Sequence, residues 1–595
     1  MERRLLLVFA LTFLILIIAQ PLITKYVGKP EQNQPQQQQA QQPQQQQPAS
    51  AAAAPTATVQ GAGKTAAAPA VANKVAAGEQ ETVVDTPVFR ITFTNKGGLA
   101  KSWVLKKYTN DKGQPLDLVN QQASQAFGYP LSLFTYDEGV RNKVNSALYV
   151  VTEVPGADKR VVTFEYADGD VSVRKSFTFE QKPAGAADYV VKADISVTRN
   201  GQTIAAFPAW PAGFGDEGDS VAYAAARIDY LPTSTEKVQR LSPDRKGEKV
   251  GNFRTISEPF YWAGALDQYF AAVFLPDNPQ QSAFVQYRNS IDIPRDPAKP
   301  DPKEMTKVEV LGAAAGNVSG PTSIRIFIGP KSLDVLNAIR ATPVAGQTGA
   351  PDLGSLIDFG FFSIISKPLF LWLKWTQAHW TPNWGWSIVV LTVIINLALM
   401  PLRISGMKSA LKMQKLQPKI KSIQDKYKNI PMRDPRQQEK QAEISALMKE
   451  HGANPVGGCL PMILQLPFLW AFYQMLGVTT ELRHAHWLWI KDLSAPDPYL
   501  VLPILIVVST FFMQKMTPNA GMDPAQQKMM NIFMPVMLGW ISWKLAAGLG
   551  LYWIIGTLIA VIQQFVMNRT SMGQEMRAEA EKRARKQAQK GVVKR

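Results

Sequence analysis

Polar side chains recur inside the apolar segments of the last third of this chain. The first of these segments, residues 384–402, carries Thr392 and Asn396 near its middle. The full set of polar residues within such segments is Thr392, Asn396, Gln465, Gln474, Ser509, Thr510, Asn531, Thr557, Gln563 and Gln564. A polar group in hydrocarbon is costly, so it usually faces the interior of a helix bundle or a wet cavity. Hydroxyl and amide groups placed this way can hydrogen-bond to a guest molecule and hold water along a groove.

Two interpretations stay open for any single one of these positions. A lone Gln or Ser most often bonds to a neighbouring helix, which contributes roughly 0.6 kcal/mol. Five segments that share the pattern favour a hydrated groove instead. The segment interiors contain no Asp or Glu, so a proton relay or a sodium site would lack its usual ligands.

Membrane helices must position these side chains. The predicted apolar spans are residues 384–402, 459–478, 499–513, 529–543 and 548–567, and residues 1–27 predict an uncleaved N-terminal signal anchor. The third and fourth of the five spans are shorter than the ~20 residues that a crossing normally needs, which would thin the bilayer locally. The predicted fold class is therefore a membrane α-helical protein with six transmembrane helices.

A basic stretch, residues 403–457, follows the first span. It holds twelve Lys or Arg against five Asp or Glu, and the tail at 568–595 holds nine against three. Apolar residues in helical spacing on both sides of Pro431 predict a basic helical hairpin. The positive-inside rule places hairpin and tail in the cytoplasm. The apolar segment 355–376 must then lie in the outer interface, since a further crossing would put the hairpin outside.

The part of the chain before these helices is typical of soluble protein. Residues 28–80 are rich in Gln, Pro and Ala, which predicts a disordered linker. Residues 81–345 alternate apolar and polar side chains and contain the hairpin signal DGD at 168–170, which predicts a large antiparallel β-sandwich. The GxGxxG match at 213–218 carries two acids where a pyrophosphate would sit, so a loop is predicted there.

Charge and cysteine content limit the classes of function. The net charge is +17 at pH 7, and the basic residues cluster beside the apolar spans, which favours a membrane protein over a nucleic-acid-binding one. The single cysteine, Cys459, excludes an intrachain disulfide. No metal site and no cofactor is predicted.

Several motifs in the C-terminal part resemble one known family. They are NPVGGCLPMILQLPF at 454–468, LSAPDPY at 493–499, FFMQKM at 511–516, PAQQKMM at 524–530 and LGLYW at 549–553. Over residues 381–567 the chain resembles the YidC/Oxa/Alb membrane-protein insertases. YWAGALDQYF at 261–270 is similar to the Gram-negative YidC form.

This resemblance implies a five-helix insertase core at residues 381–567, with a groove open to the cytoplasm and the lipid. It also implies that residues 81–345 form a periplasmic β-supersandwich. Hydrophobic segments of nascent proteins would slide along the groove, alone or beside the Sec translocon. The expected location is the bacterial inner membrane, and the crossing count puts both termini in the cytoplasm.

Position 396 departs from the family pattern. Many YidC proteins carry an arginine there, one helical turn after a threonine that matches Thr392, and the usual account has this arginine attract acidic residues of the substrate. Asn396 can only hydrogen-bond and hold water. Arg403 lies near the cytoplasmic end of the span and is predicted to be no geometric replacement. The sequence thus predicts a groove that works by hydration and depends little on acidic residues in the substrate.

The predicted function is that of a membrane-protein insertase and chaperone without enzymatic activity. Residues predicted to line the substrate groove are Thr392, Asn396, Met400, Gln465, Phe468, Trp553, Gln563 and Gln564. Of these, Thr392 and Trp553 match substrate-contact positions of the family, whereas the others follow from polarity and placement.

The basic hairpin is predicted to recruit partners. Its candidate residues are Lys408, Lys412, Lys415, Lys419 and Lys421. A solvated face lying on anionic headgroups is an equal alternative for this surface. The expected partners are nascent membrane proteins, the Sec translocon, the lipid bilayer and, through hairpin and tail, the ribosome. The sequence is compatible with a monomer.

Two other classes of function stay open at this level. A small-solute transporter would normally have internal repeats or charged midplane sites, and the sequence has neither. A membrane-tethered, carbohydrate-active periplasmic protein would need two carboxylates at a defined separation, which a sequence does not determine.

Overall fold

The computed structural model describes residues 73–181, 185–219, 226–241, 253–295, 301, 303–344, 346, 349–427, 430–431, 434–452, 460–516, 524–571, 573–575 and 578. The predicted signal anchor, nearly all of the predicted linker, Cys459 and most of the basic tail lie outside these residues.

Alternating buried and exposed side chains build the first half of the described chain as β-strands. In Val171–Glu180, for example, Val171, Val173, Lys175 and Phe177 are buried, and Ser172, Arg174 and Ser176 between them are more exposed. The strands are β1 (Glu81–Asp85), β2 (Phe89–Thr94), β3 (Leu99–Thr109), β4 (Pro115–Asp117), β5 (Ser132–Phe134), β6 (Val150–Val154), β7 (Lys159–Asp168), β8 (Val171–Glu180), β9 (Val190–Arg199), β10 (Gln202–Ile204), β11 (Phe207–Trp210), β12 (Arg227–Pro232), β13 (Gln239–Leu241), β14 (Phe253–Ile256), β15 (Phe260–Leu266), β16 (Phe270–Pro276), β17 (Ser282–Pro294), β18 (Met305–Asn317) and β19 (Thr322–Pro330).

These strands pair antiparallel in three sheets, which together form the β-domain. Their orders are β1-β2-β3-β4, then β13-β12-β15-β16-β19-β9-β8-β7-β6 with β10 added beside β9, and β14-β17-β18-β11-β5. Strand β18 packs against β12, β15, β16 and β19, so the two larger sheets face each other. The prediction of an antiparallel β-rich domain is confirmed. The DGD signal forms the β7–β8 turn, in which Gly169 has φ +56°.

Short helices connect strands in the β-domain, and longer ones follow it. The short helices are α1 (Gln121–Phe127), α2 (Glu138–Ser146), α3 (Gly215–Asp219) and α4 (Leu333–Ala338). The later helices, here called the helical core, are α5 (Ser363–His379), α6 (Trp384–Ala398), α7 (Met400–Lys426), α8 (Arg436–Glu450), α9 (Leu460–Val478), α10 (Val501–Met516), α11 (Pro524–Ser542) and α12 (Ala547–Arg569).

The GxGxxG match does not lie in a loop. Its second half is helix α3, and both acids of the motif, Asp216 and Glu217, are fully buried. The segment is held inside the β-domain because the backbone of Phe214 pairs with that of Val119 and the Trp210 indole donates to the carbonyl of Gly213 at 2.7 Å. The prediction of a loop is wrong because motif spacing carries no information about this burial.

Helix α12 is the centre of the helical core. It packs against α6, α9 and α10, and α10 packs in turn against α11. The rings of Phe472 on α9 and Tyr552 on α12 stack with centroids 4.2 Å apart. Within the described residues, α12 is long and apolar enough to cross a membrane, and α6 with the start of α7 is a second candidate, bent by 47°. Val501–Met516 and Asn531–Ser542 are shorter apolar helices.

Helix α5 begins later than the segment 355–376 predicts. Residues Gly354–Leu356 form a single 3-10 turn, and Gly360 has φ +70°, a left-handed conformation that interrupts a helix. The predicted basic hairpin corresponds to α7 and α8, whose apolar sides meet at Leu416, Ile420 and Ile444.

Close packing at Gly312 in β18 leads to a stability prediction. A Cβ atom there would lie 2.4 Å from the backbone carbonyl of Pro211, which Asn289 holds by a hydrogen bond of 3.0 Å. Overpacking of this kind costs about 1–3 kcal/mol. We expect Gly312→Ala to lower the thermal unfolding midpoint of the β-domain by several degrees, measured by circular dichroism. Gly78→Ala is the control, since nothing lies within 4 Å of that site, and an equal loss there would contradict the packing argument.

Candidate polar groove between the helices

Three polar side chains from two helices lie close to Gly556 of α12. A Cβ atom at Gly556 would lie 3.7 Å from Nδ2 of Asn396, 3.8 Å from Nε2 of Gln465 and 3.9 Å from Cγ2 of Thr392. Thr392 and Asn396 lie on α6, and Gln465 lies on α9. The amide groups of Asn396 and Gln465 and the methyl group of Thr392 therefore lie beside Gly556, and the structure brings three predicted groove residues together.

The two polar residues of α6 are buried and bonded along their own helix. Thr392 is 0% exposed, and its hydroxyl donates to the carbonyl of Ile388 at 2.6 Å. Asn396 is 3% exposed, and its Nδ2 donates to the carbonyl of Thr392 at 2.8 Å. The second bond holds the side-chain amide of Asn396 by its nitrogen, so that its Oδ1 can accept a hydrogen bond from another group.

The guanidinium of Arg403 donates to this oxygen atom, Oδ1 of Asn396. Its Nη2 donates to Oδ1 of Asn396 at 2.8 Å, and its Nη1 donates to Oε1 of Gln563 on α12 at 2.7 Å. The prediction that Arg403 lies too far along the chain to act at position 396 is wrong. A positive charge does lie beside Asn396, and it comes from the next helix.

The bend between α6 and α7 explains this reach. Helix α6 ends at Ala398, α7 begins at Met400 with Pro401 in its first turn, and the two axes differ by 47°. Seven residues of helix span about 10.5 Å, but a side chain points back toward the N-terminus of its helix. The long, partly buried side chain of Arg403 covers the remaining distance.

The other predicted groove residues divide into two groups. Gln563 belongs to the cluster through Arg403, whereas Gln564 points elsewhere, because its Nε2 donates to Oδ1 of Asn568 at 2.9 Å. The apolar candidates Phe468 and Trp553 are partly buried against the main hydrophobic core, and Met400 is 36% exposed. The structure thus does not bring Gln564 into this cluster.

A second set of polar atoms lies on α10 and α11. Oγ1 of Thr510, Oε1 of Gln514 and Oδ1 of Asn531 are buried and have no hydrogen-bond partner within the described part of the chain. Thr510 and Asn531 belong to the predicted polar set, but Gln514 does not. It was missed because the predicted span ends at residue 513, one position before it.

The five candidate lysines of the hairpin are all exposed. Three of them also contact neighbouring groups. Lys415 pairs with Glu575, Lys412 donates to the carbonyl of Gly452 at 3.4 Å, and Lys419 lies 3.0 Å from Nε2 of His451. In the described residues no group of three or more His, Cys, Asp or Glu side chains could hold a metal ion.

Comparison with known proteins identifies the family. A family model described as 60Kd inner membrane protein matches residues 375–575, and one described as YidC periplasmic domain matches residues 81–372. The membrane protein insertase YidC of Geobacter metallireducens is 32% identical over 533 residues, which cover 87% of this chain and 90% of the relative. The chain belongs to the YidC family.

Further YidC proteins match over similar lengths. The membrane protein insertase YidC of Cupriavidus taiwanensis is 31% identical and is covered to 88%. A crystal structure of an active YidC insertase with its first transmembrane domain resolved aligns with 84% of this chain and 95% of its own, at 19% identity and a TM-score of 0.33. YidC proteins are inner membrane proteins with a periplasmic β-rich domain, and family membership favours this class over a solute transporter or a carbohydrate-active protein.

Proposed function

We propose that this chain inserts integral membrane proteins into the bacterial inner membrane and helps them fold, using the polar groove at Gly556. Its relatives, matched along nearly their whole length, are named membrane protein insertases. The observation that supports a groove at this place is that Thr392, Asn396 and Gln465 lie beside Gly556, and that the guanidinium of Arg403 bonds to Asn396. The action is non-enzymatic, since the work is binding and release of a polypeptide.

The cluster lowers the cost of bringing a polar flank of the substrate into the bilayer. An unsatisfied polar group in hydrocarbon costs several kcal/mol, and amide and hydroxyl groups in the groove provide hydrogen-bond partners. Arg403 adds a positive charge in surroundings of low dielectric constant, where attraction to an acidic side chain exceeds that in water. Met400, Phe468 and Trp553 would contact the apolar part of the entering helix.

The proposed topology has six membrane spans with both termini in the cytoplasm. The spans are the N-terminal anchor, α6, α9, α10, α11 and α12, and α5 lies in the outer interface. Exposed Trp372 and Trp375 on α5 suit such an interfacial position. The basic hairpin and tail would then meet the nascent chain and the ribosome in the cytoplasm, and the Sec translocon would act beside the groove.

Site-directed photocrosslinking to a stalled nascent membrane protein tests the groove. We expect crosslinks from a photoreactive residue at Thr392, Asn396 or Trp553. Ile562 is the matched control, because it is 62% exposed and lies on the opposite side of α12 from Trp553 by helical periodicity. Crosslinking from Ile562 as strong as from the three groove positions would show general proximity in the membrane and would contradict the proposal.

A further inference from the structure

The loop between α9 and α10, residues 479–500 and here called the α9–α10 loop, contacts the first turns of three core helices. The carbonyl of Leu493 accepts a hydrogen bond from the amide of Gly548 at the start of α12, at 2.8 Å. The carboxyl group of Asp497 accepts one from the amide of Leu502 in the first turn of α10, at 2.7 Å. This loop therefore fixes the ends of α10 and α12 relative to each other, and α6 is the third helix that it contacts.

Helix α6 packs directly onto this loop. Asn383, which precedes α6, accepts through Oδ1 from the amides of Gly385 at 3.0 Å and Trp386 at 3.2 Å. Its Nδ2 donates to the carbonyl of His486 in the loop at 2.9 Å. A Cβ atom at Gly385 would overlap Cγ and Cδ1 of Trp487 and would lie 2.5 Å from its Cβ. The start of α6 thus approaches Trp487 as closely as a residue without a side chain allows.

Trp487 is itself held in place. It is 7% exposed, and it exchanges two backbone hydrogen bonds of 2.8 Å with Ile490. Its ring centroid lies 5.5 Å from that of Trp386 and 5.7 Å from that of Trp489. Its Nε1 is buried and has no hydrogen-bond partner among the described residues. The contribution of this side chain is therefore the shape of its ring and not a hydrogen bond.

The β-domain holds the other side of the α9–α10 loop. Oγ1 of Thr480 donates to the carbonyl of Tyr269 at 3.4 Å. Nη1 of Arg483 lies 3.4 Å from Oδ2 of Asp216, and the two side chains are 2% and 0% exposed. Moving the loop would break these buried contacts, and leaving a buried polar group unpaired costs about 1–3 kcal/mol. The loop is therefore a fixed support against which α6 packs.

The face of α6 that meets Trp487 also carries the polar groove residues. Gly385, Thr392 and Asn396 are separated by seven and four residues. An α-helix has 3.6 residues per turn, so the three positions lie on one face. Further along the helix this face lies beside Gly556 of α12. A shift of α6 away from Trp487 would therefore also move Thr392 and Asn396 away from α12.

We infer that Trp487 is a positioning residue for the polar groove, because its contact with Gly385 sets the distance between α6 and α12. Trp487 acts through the placement of Thr392 and Asn396 and not by contact with the substrate. The inference rests on the proposed function, since it takes this groove as the place of insertion.

Gly385→Ala tests the effect on insertion. Carbon atoms in ordinary contact are about 3.5–4.0 Å apart, so the new methyl group forces α6 to withdraw by about 1 Å. Misplacement by about 1 Å can cost a site a hundredfold, and we expect insertion of a single-span substrate into proteoliposomes to fall about tenfold. Gly477→Ala on α9 is the matched control, since nothing lies within 4 Å of a Cβ atom there. It should insert the substrate as wild type does.

Disulfide formation in full-length protein measures the helix spacing independently of insertion. With Cys459→Ala as background, Thr392→Cys and Gly556→Cys join α6 to α12, because Cγ2 of Thr392 lies 3.9 Å from a Cβ atom at Gly556. Adding Gly385→Ala should slow this disulfide at least tenfold.

A second cysteine pair controls for general damage to the helical core. Val507→Cys and Gly539→Cys join α10 to α11, where a Cβ atom at Gly539 would touch Cγ2 of Val507. The rate of this disulfide should be the same with and without Gly385→Ala, because the withdrawal of α6 leaves the contact between α10 and α11 unaltered.

The two readouts separate the positioning role from the proposed function. An unchanged rate for the α6–α12 pair, or equal slowing of both pairs, overturns the positioning role. Slowing of the α6–α12 pair alone, with insertion at the wild-type level, supports the positioning role and shows that insertion does not use this groove. If Gly385→Ala does not fold, Trp487→Leu takes its place. Loss of the indole should slow the α6–α12 pair selectively, and an unchanged rate there refutes the inference.

Discussion

Replacing Arg403 by leucine is expected to reduce insertion of a substrate with an acidic translocated segment by roughly ten- to a hundredfold. A hydrogen bond to a charged group contributes about 1.5–3 kcal/mol, and 1.36 kcal/mol corresponds to a factor of ten. In the structure the guanidinium lies between Asn396 and Gln563, inside the polar cluster. The measurement is protease protection of a single-span substrate inserted into proteoliposomes.

A pair of substrates tests whether the effect depends on attraction between Arg403 and the acidic residues of the substrate. One carries two aspartates in its translocated segment, and the other carries two asparagines. Wild type should prefer the acidic substrate, and Arg403→Leu should insert both equally poorly. Adding Asn396→Arg to Arg403→Leu should restore the preference, because the charge returns to the same place from α6.

Lys408→Leu is the control for Arg403→Leu. It removes the same charge from the same helix, but Lys408 is exposed on the hairpin. Its effect should be small. An equal loss in both variants, or equal losses for both substrates after Arg403→Leu, would contradict a charge that acts in the groove.

Lys175→Met is expected to destabilise the β-domain by about 4 kcal/mol. Lys175 on β8 is 0% exposed, and its ammonium donates to three backbone carbonyls, of Gly97 at 2.6 Å, of Gly98 at 3.3 Å and of Leu131 at 2.9 Å. Methionine keeps most of the apolar stem, lacks the terminal ammonium and donates nothing, so the three buried carbonyls lose their donor. Each such loss costs about 1–3 kcal/mol.

Thermal unfolding of the full-length protein in detergent, followed by the circular dichroism of its strands, measures this loss. A domain of this size loses roughly 2–4 °C per kcal/mol, so the midpoint should fall by about 10 °C. Arg174→Met is the control, because the neighbouring Arg174 side chain is 65% exposed. If both variants unfold at the wild-type temperature, the ammonium does not stabilise this joint between the turn of β2–β3 and β8.

Local sequence patterns were sufficient to predict most of the fold of the β-domain. Alternation along β7 and β8 and the DGD turn predict the hairpin because strand pairing between neighbours is fixed by nearby residues. The polar residues Thr392, Asn396 and Gln465 were found because polarity in an apolar segment is visible without a structure. Their meeting at Gly556 needs three helices to be placed, which sequence periodicity alone does not give.

The main error concerned Arg403, and its cause is geometric. Counting residues along a straight helix puts Arg403 two turns beyond Asn396, but the helix axis bends by 47° after Ala398 and the long Arg403 side chain reaches Oδ1 of Asn396. The burial of the two acids of α3 was not predicted, for a related reason. Asp216 and Glu217 resemble surface residues in sequence, and only the tertiary structure shows that both are buried and that Asp216 lies against Arg483 of the helical core.

A buried ion pair between the two domains limits how they can be recombined. Oδ2 of Asp216, on α3 of the β-domain, lies 3.4 Å from Nη1 of Arg483, in a loop of the helical core, so each domain carries half of the pair. Exchanging either domain for one that lacks the matching residue would leave a buried charge without its partner, which costs about 3–5 kcal/mol. A working chimera therefore needs both an acid at the α3 position and a base in the facing loop, and the two domains are constrained to change together.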